Sequence, residues 1–103
     1  IRFMTVPNPF GVKFCGFTRA ADVESAVRLS GLTHIGLIFA PASPRCLTAA
    51  QATPLSQAAR GRAIRVGVFQ NQPAETIAAM AKAVDLDWVQ LHGDEAPDLC
   101  QRL

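Results

Sequence analysis

A lysine, a cysteine and a glycine stand at residues 13, 15 and 16, where a short apolar run gives way to a helical pattern: Val12-Lys13-Phe14-Cys15-Gly16-Phe17-Thr18-Arg19. Alternation along a strand turns Lys13 and Cys15 to one face and Val12 and Phe14 to the other. A thiol beside an ammonium and ahead of a helix N-terminus gives up its proton more readily than a free cysteine, whose pKa is about 8.5. The chemistry this offers is that of a thiolate acting as base or nucleophile. The same octet also allows a plainer role, in which Cys15 is a small buried hydrophobe, as free cysteines most often are.

Three further polar groups follow apolar runs. They are Arg45, in the two-proline stretch Pro41-Ala42-Ser43-Pro44-Arg45-Cys46; Asn71, in Gln70-Asn71-Gln72; and His92, in the turn His92-Gly93. A guanidinium grips a carboxylate with two parallel hydrogen bonds. A histidine at a strand end serves either as a ligand-binding group or as a structural hydrogen-bonding residue. An asparagine ahead of a helix is more often local turn chemistry than a ligand.

The elements that must position these groups alternate. Strands are expected over Val12–Cys15, His34–Phe39, Arg65–Phe69 and Asp87–Leu91. Thr18 is a plausible N-cap for a first helix with Val23, Ala26, Val27 and Ser30 on one face, ended by Gly31. The second helix has two possible starts. Thr48 and Gln51 match a capping box, but Pro54 would then fall beyond the first turn, so Thr53 as N-cap with Pro54 at the first helical position is the favoured reading. Pro73 and Glu75 open a third helix with the apolar stripe Ile77, Met80, Ala81 and Val84, and Asp94 caps a last one. Asp94 and Asp98 are both explained as first-turn helix residues, and Cys100 as core.

Four strand–helix units in alternation imply parallel strands joined by right-handed crossovers, with any site at the carboxyl ends of the strands. Cys15, Arg45, Asn71 and His92 all fall there. If Val12/Phe14, Ile35/Leu37, Val66/Val68 and Val89/Leu91 face the helices, the other face shows Lys13/Cys15, Gly36/Ile38, Gly67/Phe69 and Gln90/His92. A mixed polar face suits the inside and mouth of a barrel better than a flavodoxin-like sheet, which wants apolar residues on both sides.

The whole chain is 103 residues, room for one small domain. Half its residues are apolar and 17% charged, a globular composition. A net charge of +2 spread along the chain gives no nucleic-acid footprint. No apolar run reaches the roughly 18 residues of a membrane span. Three cysteines without metal-ligand spacing suit a reducing, cytoplasmic setting. Residues 1–11 carry Pro7, Asn8, Pro9 and Gly11 and give no periodicity. They are expected to be an N-terminal extension or linker, with Met4 as an alternative native start.

Lys13-Phe14-Cys15-Gly16-Phe17-Thr18-Arg19, Ile38-Phe39-Ala40-Pro41-Ala42-Ser43-Pro44-Arg45, Val66-Gly67-Val68-Phe69 and Val89-Gln90-Leu91-His92-Gly93 resemble phosphoribosylanthranilate isomerase, in that family's order and spacing. The resemblance implies the (β/α) units of a TIM barrel, about four of eight strands, so that residues 12–103 form an N-terminal half barrel. It implies an Amadori rearrangement of a phosphorylated small molecule, N-(5-phosphoribosyl)anthranilate, in tryptophan biosynthesis, without metal or organic cofactor. It makes Cys15 the general base and Arg45 the group that holds the anthranilate carboxylate, with Gln90 and His92 lining the site. The general acid and the phosphate-binding loops belong to later units of such a barrel, which needs about 200 residues or more. The 103 residues alone are therefore expected to be inactive, and to pair with the missing half or to self-associate through open strand edges. A catalytically inactive half-barrel scaffold or self-assembling module is the competing reading.

Overall fold

The computed structural model describes residues 2–3, 12–29 and 31–91. The elements are β1 (Arg2–Phe3), β2 (Val12–Cys15), α1 (Ala20–Ala26), β3 (Leu32–Ile38), α2 (Ala49–Ala59), β4 (Ile64–Phe69), α3 (Ala74–Val84) and β5 (Trp88–Leu91). They form an α/β fold with one parallel sheet in the order β1-β5-β4-β3-β2. The four expected strands are all present. The expected last helix, with His92, Asp94, Asp98 and Cys100, lies outside the described residues. Arg2–Phe3, which the sequence placed in an aperiodic stretch, pair in parallel with Trp88 and Val89 at the far edge of the sheet.

The three helices among the described residues cover the same face. Val23 of α1, Ala52 and Leu55 of α2, and Ile77, Ala81 and Val84 of α3 share one buried cluster with Ile35, Leu37, Phe69 and Val89 of the sheet. Burying each of the larger of these side chains contributes about 1.5–3 kcal/mol. A one-sided helical layer is not the doubly wound arrangement of a flavodoxin-like domain. Ile38, Ala40 and Val68 form a separate small cluster.

The strand register corrects one expectation. Gly36, Val66 and Trp88 are partners across the sheet, as are Ile38, Val68 and Gln90, so Val66 and Val68 share the face opposite the helices. Gly67 and Phe69 take the helix side, the reverse of the phase expected for this strand. Period-two alternation points the wrong way, because Ile64, Val66 and Val68 make the more apolar phase while the other carries Arg65 and Gly67. Two contacts decide it. Phe69 stacks on Phe39 with ring centroids 5.2 Å apart, and a Cβ on Gly67 would collide with Leu86 and crowd both phenylalanine rings.

Arg65 fixes the same phase from the amino end of β4. Its guanidinium, almost wholly buried, reaches Ser56 of α2 at 3.1 Å, Asp85 at 3.3 Å and both carboxylate oxygens of Asp87 at 3.1 and 3.2 Å. The backbone N–H of Arg65 also donates to Asp87, at 2.9 Å. A buried cation requires such partners.

The helix starts bring two more corrections. The second helix begins at Thr48, not Thr53: the Thr48 hydroxyl accepts from the Gln51 N–H at 3.2 Å, and the Gln51 carboxamide accepts from the Thr48 N–H at 2.9 Å. Pro54 sits inside this helix, and the Thr53 hydroxyl donates to the Ala49 carbonyl at 2.8 Å beside it. The reciprocal cap satisfies two otherwise orphaned groups and outweighs the one backbone bond that Pro54 forgoes. The first helix takes Arg19, not Thr18, as its N-cap position and ends at Ala26, well before Gly31.

Candidate active site

Parallel pairing of β2 with β3 sets Cys15 beside Gly36, on the face away from the helices. Gly36 is required there, because a Cβ on it would collide with the Cys15 sulfur. Cys15 is the last residue of its strand and is exposed. It opens onto a cavity of about 360 Å³ lined by Cys15, Ile38, Ala40, Ala42, Ser43, Val68, Gln70 and Gln90. Every one of these lies in the last part of a strand or in the loop that follows it. The register Ile38–Val68–Gln90 gives the cavity its floor and brings Gln90 into the wall.

The loop after β3 brings Arg45 back to Cys15. It closes on itself where the Leu47 N–H donates to the Ile38 carbonyl at 2.8 Å. Inside it, the Ser43 hydroxyl accepts from the Arg45 N–H at 3.1 Å. The guanidinium then lies over Gly16, the residue after Cys15: a Cβ at Gly16 would overlap Nη1, Cζ and Nε of Arg45. Gly16 has φ +88, which favours glycine on conformational grounds as well. Arg45 is exposed, so its charge above Gly16 is open to a ligand carboxylate.

Of the residues expected from sequence, Cys15 and Gln90 line the cavity, and Arg45 lies over Gly16, the residue after Cys15. His92 lies outside the described residues. Asn71 is exposed at φ +54 and does not line the cavity, consistent with turn chemistry. Cys15 is separated from the first turn of α1 by residues 16–19, so the cation seated beside its strand end is Arg45 rather than a helix terminus. Cys46 is exposed, and its sulfur makes only a 4.0 Å contact to the Leu47 carbonyl. Ser43 and Gln70 join the site without having been singled out. Position alone was the signal, since both follow a strand end. Among the described residues no group of three or more His, Cys, Asp or Glu side chains could hold a metal ion.

Fold and cavity define a parallel α/β protein that presents a thiol and a guanidinium at the carboxyl ends of neighbouring strands. A family model for N-(5'phosphoribosyl)anthranilate (PRA) isomerase matches residues 12–103, and the chain belongs to that family. The isomerase of Acinetobacter calcoaceticus is 45% identical over 91 residues, covering 88% of this chain and 42% of its own. That of Syntrophus aciditrophicus is 44% identical over 91 residues, covering 88% and 39%. The crystal structure of the Thermotoga maritima enzyme superposes with a TM-score of 0.79 at 35% identity, over 89% of this chain and 44% of that one. For the Thermus thermophilus enzyme the TM-score is 0.76 at 30% identity, over 99% and 46%. The chain thus spans about two fifths of the length of the curated relatives it matches. Among the described residues no helix is long and apolar enough to cross a membrane.

Proposed function

We propose that this chain supplies the base-bearing part of a phosphoribosylanthranilate isomerase, with residues 12–103 as four of the eight (β/α) units of its barrel and residues 1–11 as a preceding segment. The reaction is the Amadori rearrangement of N-(5-phosphoribosyl)anthranilate to 1-(2-carboxyphenylamino)-1-deoxyribulose 5-phosphate, carried out in the cytoplasm. An acid first opens the ribose ring to an iminium. The thiolate of Cys15 then takes the proton from C2, the electron pair of that bond becomes the C1–C2 double bond, and the nitrogen recovers its lone pair. Protonation at C1 and loss of the enol proton give the aminoketose. Arg45 holds the carboxylate of the anthranilate ring, and Gln90 and His92 line the pocket. The acid and the phosphate-binding loops come from the other half of the barrel, which is the expected partner.

The observation that supports this best is the Arg45 guanidinium lying over Gly16, directly after Cys15, at a cavity of about 360 Å³. The proposed carboxylate grip thus lies against the residue that follows the proposed base, which suits a substrate with its carboxylate close to its reacting carbons. The test is to mix this chain with the C-terminal half of the Acinetobacter isomerase and follow consumption of the fluorescent substrate. Turnover by the mixture that disappears with Cys15→Ser is expected. Turnover that survives Cys15→Ser removes Cys15 as the base. An inactive half-barrel scaffold is the alternative outcome of the same test; it predicts no turnover with any complementing half.

A further inference from the structure

The cavity wall contains a side chain with no role in the chemistry above. Gln70 follows directly on β4, two residues beyond Val68 and on the same face, and it lines the cavity beside Gln90, whose register partner is Val68. Around it the lining is apolar: Ile38, Ala40, Ala42 and Val68. The Ser43 hydroxyl, also in the wall, already accepts a bond from its own loop. A long neutral amide set against an aliphatic wall contributes nothing to packing that a leucine would not. It does offer both donors and acceptors, the pairing that a hydroxyl group needs and a carboxylate does not.

The backbone that carries Gln70 is held by a neighbour. Gln72 uses both ends of its carboxamide: Oε1 accepts from the Gln70 N–H at 3.1 Å, and Nε2 donates to the Phe39 carbonyl at 3.2 Å. This clasp fastens the loop after β4 to the end of β3, on the same phenylalanine that stacks on Phe69. Asn71, at φ +54, makes the turn between the two glutamines. Holding the backbone in advance lowers the entropy lost when the Gln70 side chain engages a ligand.

We propose that Gln70 is a recognition residue for the sugar part of the ligand, its carboxamide hydrogen-bonding a hydroxyl of the open polyol chain, and that Gln72 is the positioning residue that aims it. This rests on the isomerase reading and adds to it the group that tells a polyhydroxylated chain from a plain N-alkyl one.

The test titrates the 103-residue chain with two probes by anthranilate fluorescence. One is N-(2-carboxyphenyl)-1-amino-1-deoxypentitol, which has the carboxylate and the hydroxyls but no phosphate. The other is N-methylanthranilate, which has the carboxylate alone. Gln70→Leu should weaken the pentitol probe about 5- to 10-fold, the worth of one neutral hydrogen bond, and leave N-methylanthranilate unchanged. Gln70→Asn, with the same chemistry and a shorter reach, should lose less. Gln72→Leu should weaken the pentitol probe in parent Gln70 but add nothing in Gln70→Leu. Equal losses for both probes would reduce Gln70 to a shaper of the cavity and overturn the proposal, as would no loss for either. Failure of the parent chain to bind either probe would overturn the isomerase site itself, and this assignment with it.

Discussion

At the residue scale, the proposed function assigns one group to react and another to hold. In the complemented enzyme, Cys15→Ser should lower kcat by a factor on the order of 10²–10⁴ with little change in KM, since a hydroxyl is a far poorer base near neutral pH. Arg45→Ala should raise KM as well, costing about 1.5–3 kcal/mol in kcat/KM for the lost charged hydrogen bonds. Gly16→Ala makes a third case. It touches no reacting atom, yet it forces a Cβ into the space of the Arg45 guanidinium at a backbone φ of +88. It should weaken binding of N-methylanthranilate and lower stability by about 1–3 kcal/mol, measured by titration and by urea unfolding. Cys15 and Gln90 were legible as residues on the strand face away from the helices, and both line the cavity, whereas Arg45 was picked out as a guanidinium in the loop after a strand. Gly36 and Gly16 were not, because their task appears only when a partner strand and a loop bring a sulfur and a guanidinium against them.

At the scale of elements, the four strands named from the sequence and the first three of its four helices are present, the last helix lying outside the described residues, and the reading erred where two local rules competed. Thr48–Gln51 and Thr53–Pro54 are both sound helix starts, and the two reciprocal capping bonds of Thr48 and Gln51 mark the earlier one as the start taken. Thr48→Ala should therefore cost about 1 kcal/mol, read by chemical denaturation. The phase of β4 was illegible for a different reason. Its anchor is Arg65, whose partners come from α2 and from the turn before β5 rather than from the strand itself. This anchor titrates. Burial pushes the Asp87 carboxyl up, but the hydrogen bonds and charge of Arg65 outweigh it and hold the group below its ordinary value. A carboxyl depressed in the folded chain contributes stability above its unfolded pKa and loses it as pH falls through the folded value. Unfolding free energy should accordingly fall as the medium is taken below about pH 4, the ordinary carboxylate range. In Asp87→Asn the acid-side slope should flatten, and a slope equal to that of the parent would assign the acid sensitivity to other groups.

At the scale of the whole molecule, the sheet carries its helices on one face and the cavity on the other. Two strands stand at its margins, β2 at one and the two-residue β1 at the other. In a barrel the neighbour of β5 on that side would be the next strand of the series, the position that Arg2–Phe3 occupy here. On the proposed reading, a complementing C-terminal half would take that place to complete the ring. Deleting residues 1–3 should therefore speed or tighten association with the complementing half, as read by the rise of activity on mixing or by analytical ultracentrifugation. An unchanged or slower association would show that this pairing does not compete. The whole-molecule reading was accessible from sequence because four ordered motifs spanned it, whereas the pairing of residues 2–3 left no periodic trace in so short a strand.

Arg65 and its carboxylate partners gather where β4 and β5 begin; Cys15, Arg45 and the glutamines gather where the strands finish. Robustness and reactivity are thus lodged at opposite poles of one sheet, a strand's length apart. An engineer could reinforce the lower pole with new ion pairs and leave the upper one untuned, or rewrite the upper loops for another ligand and expect the same melting behaviour.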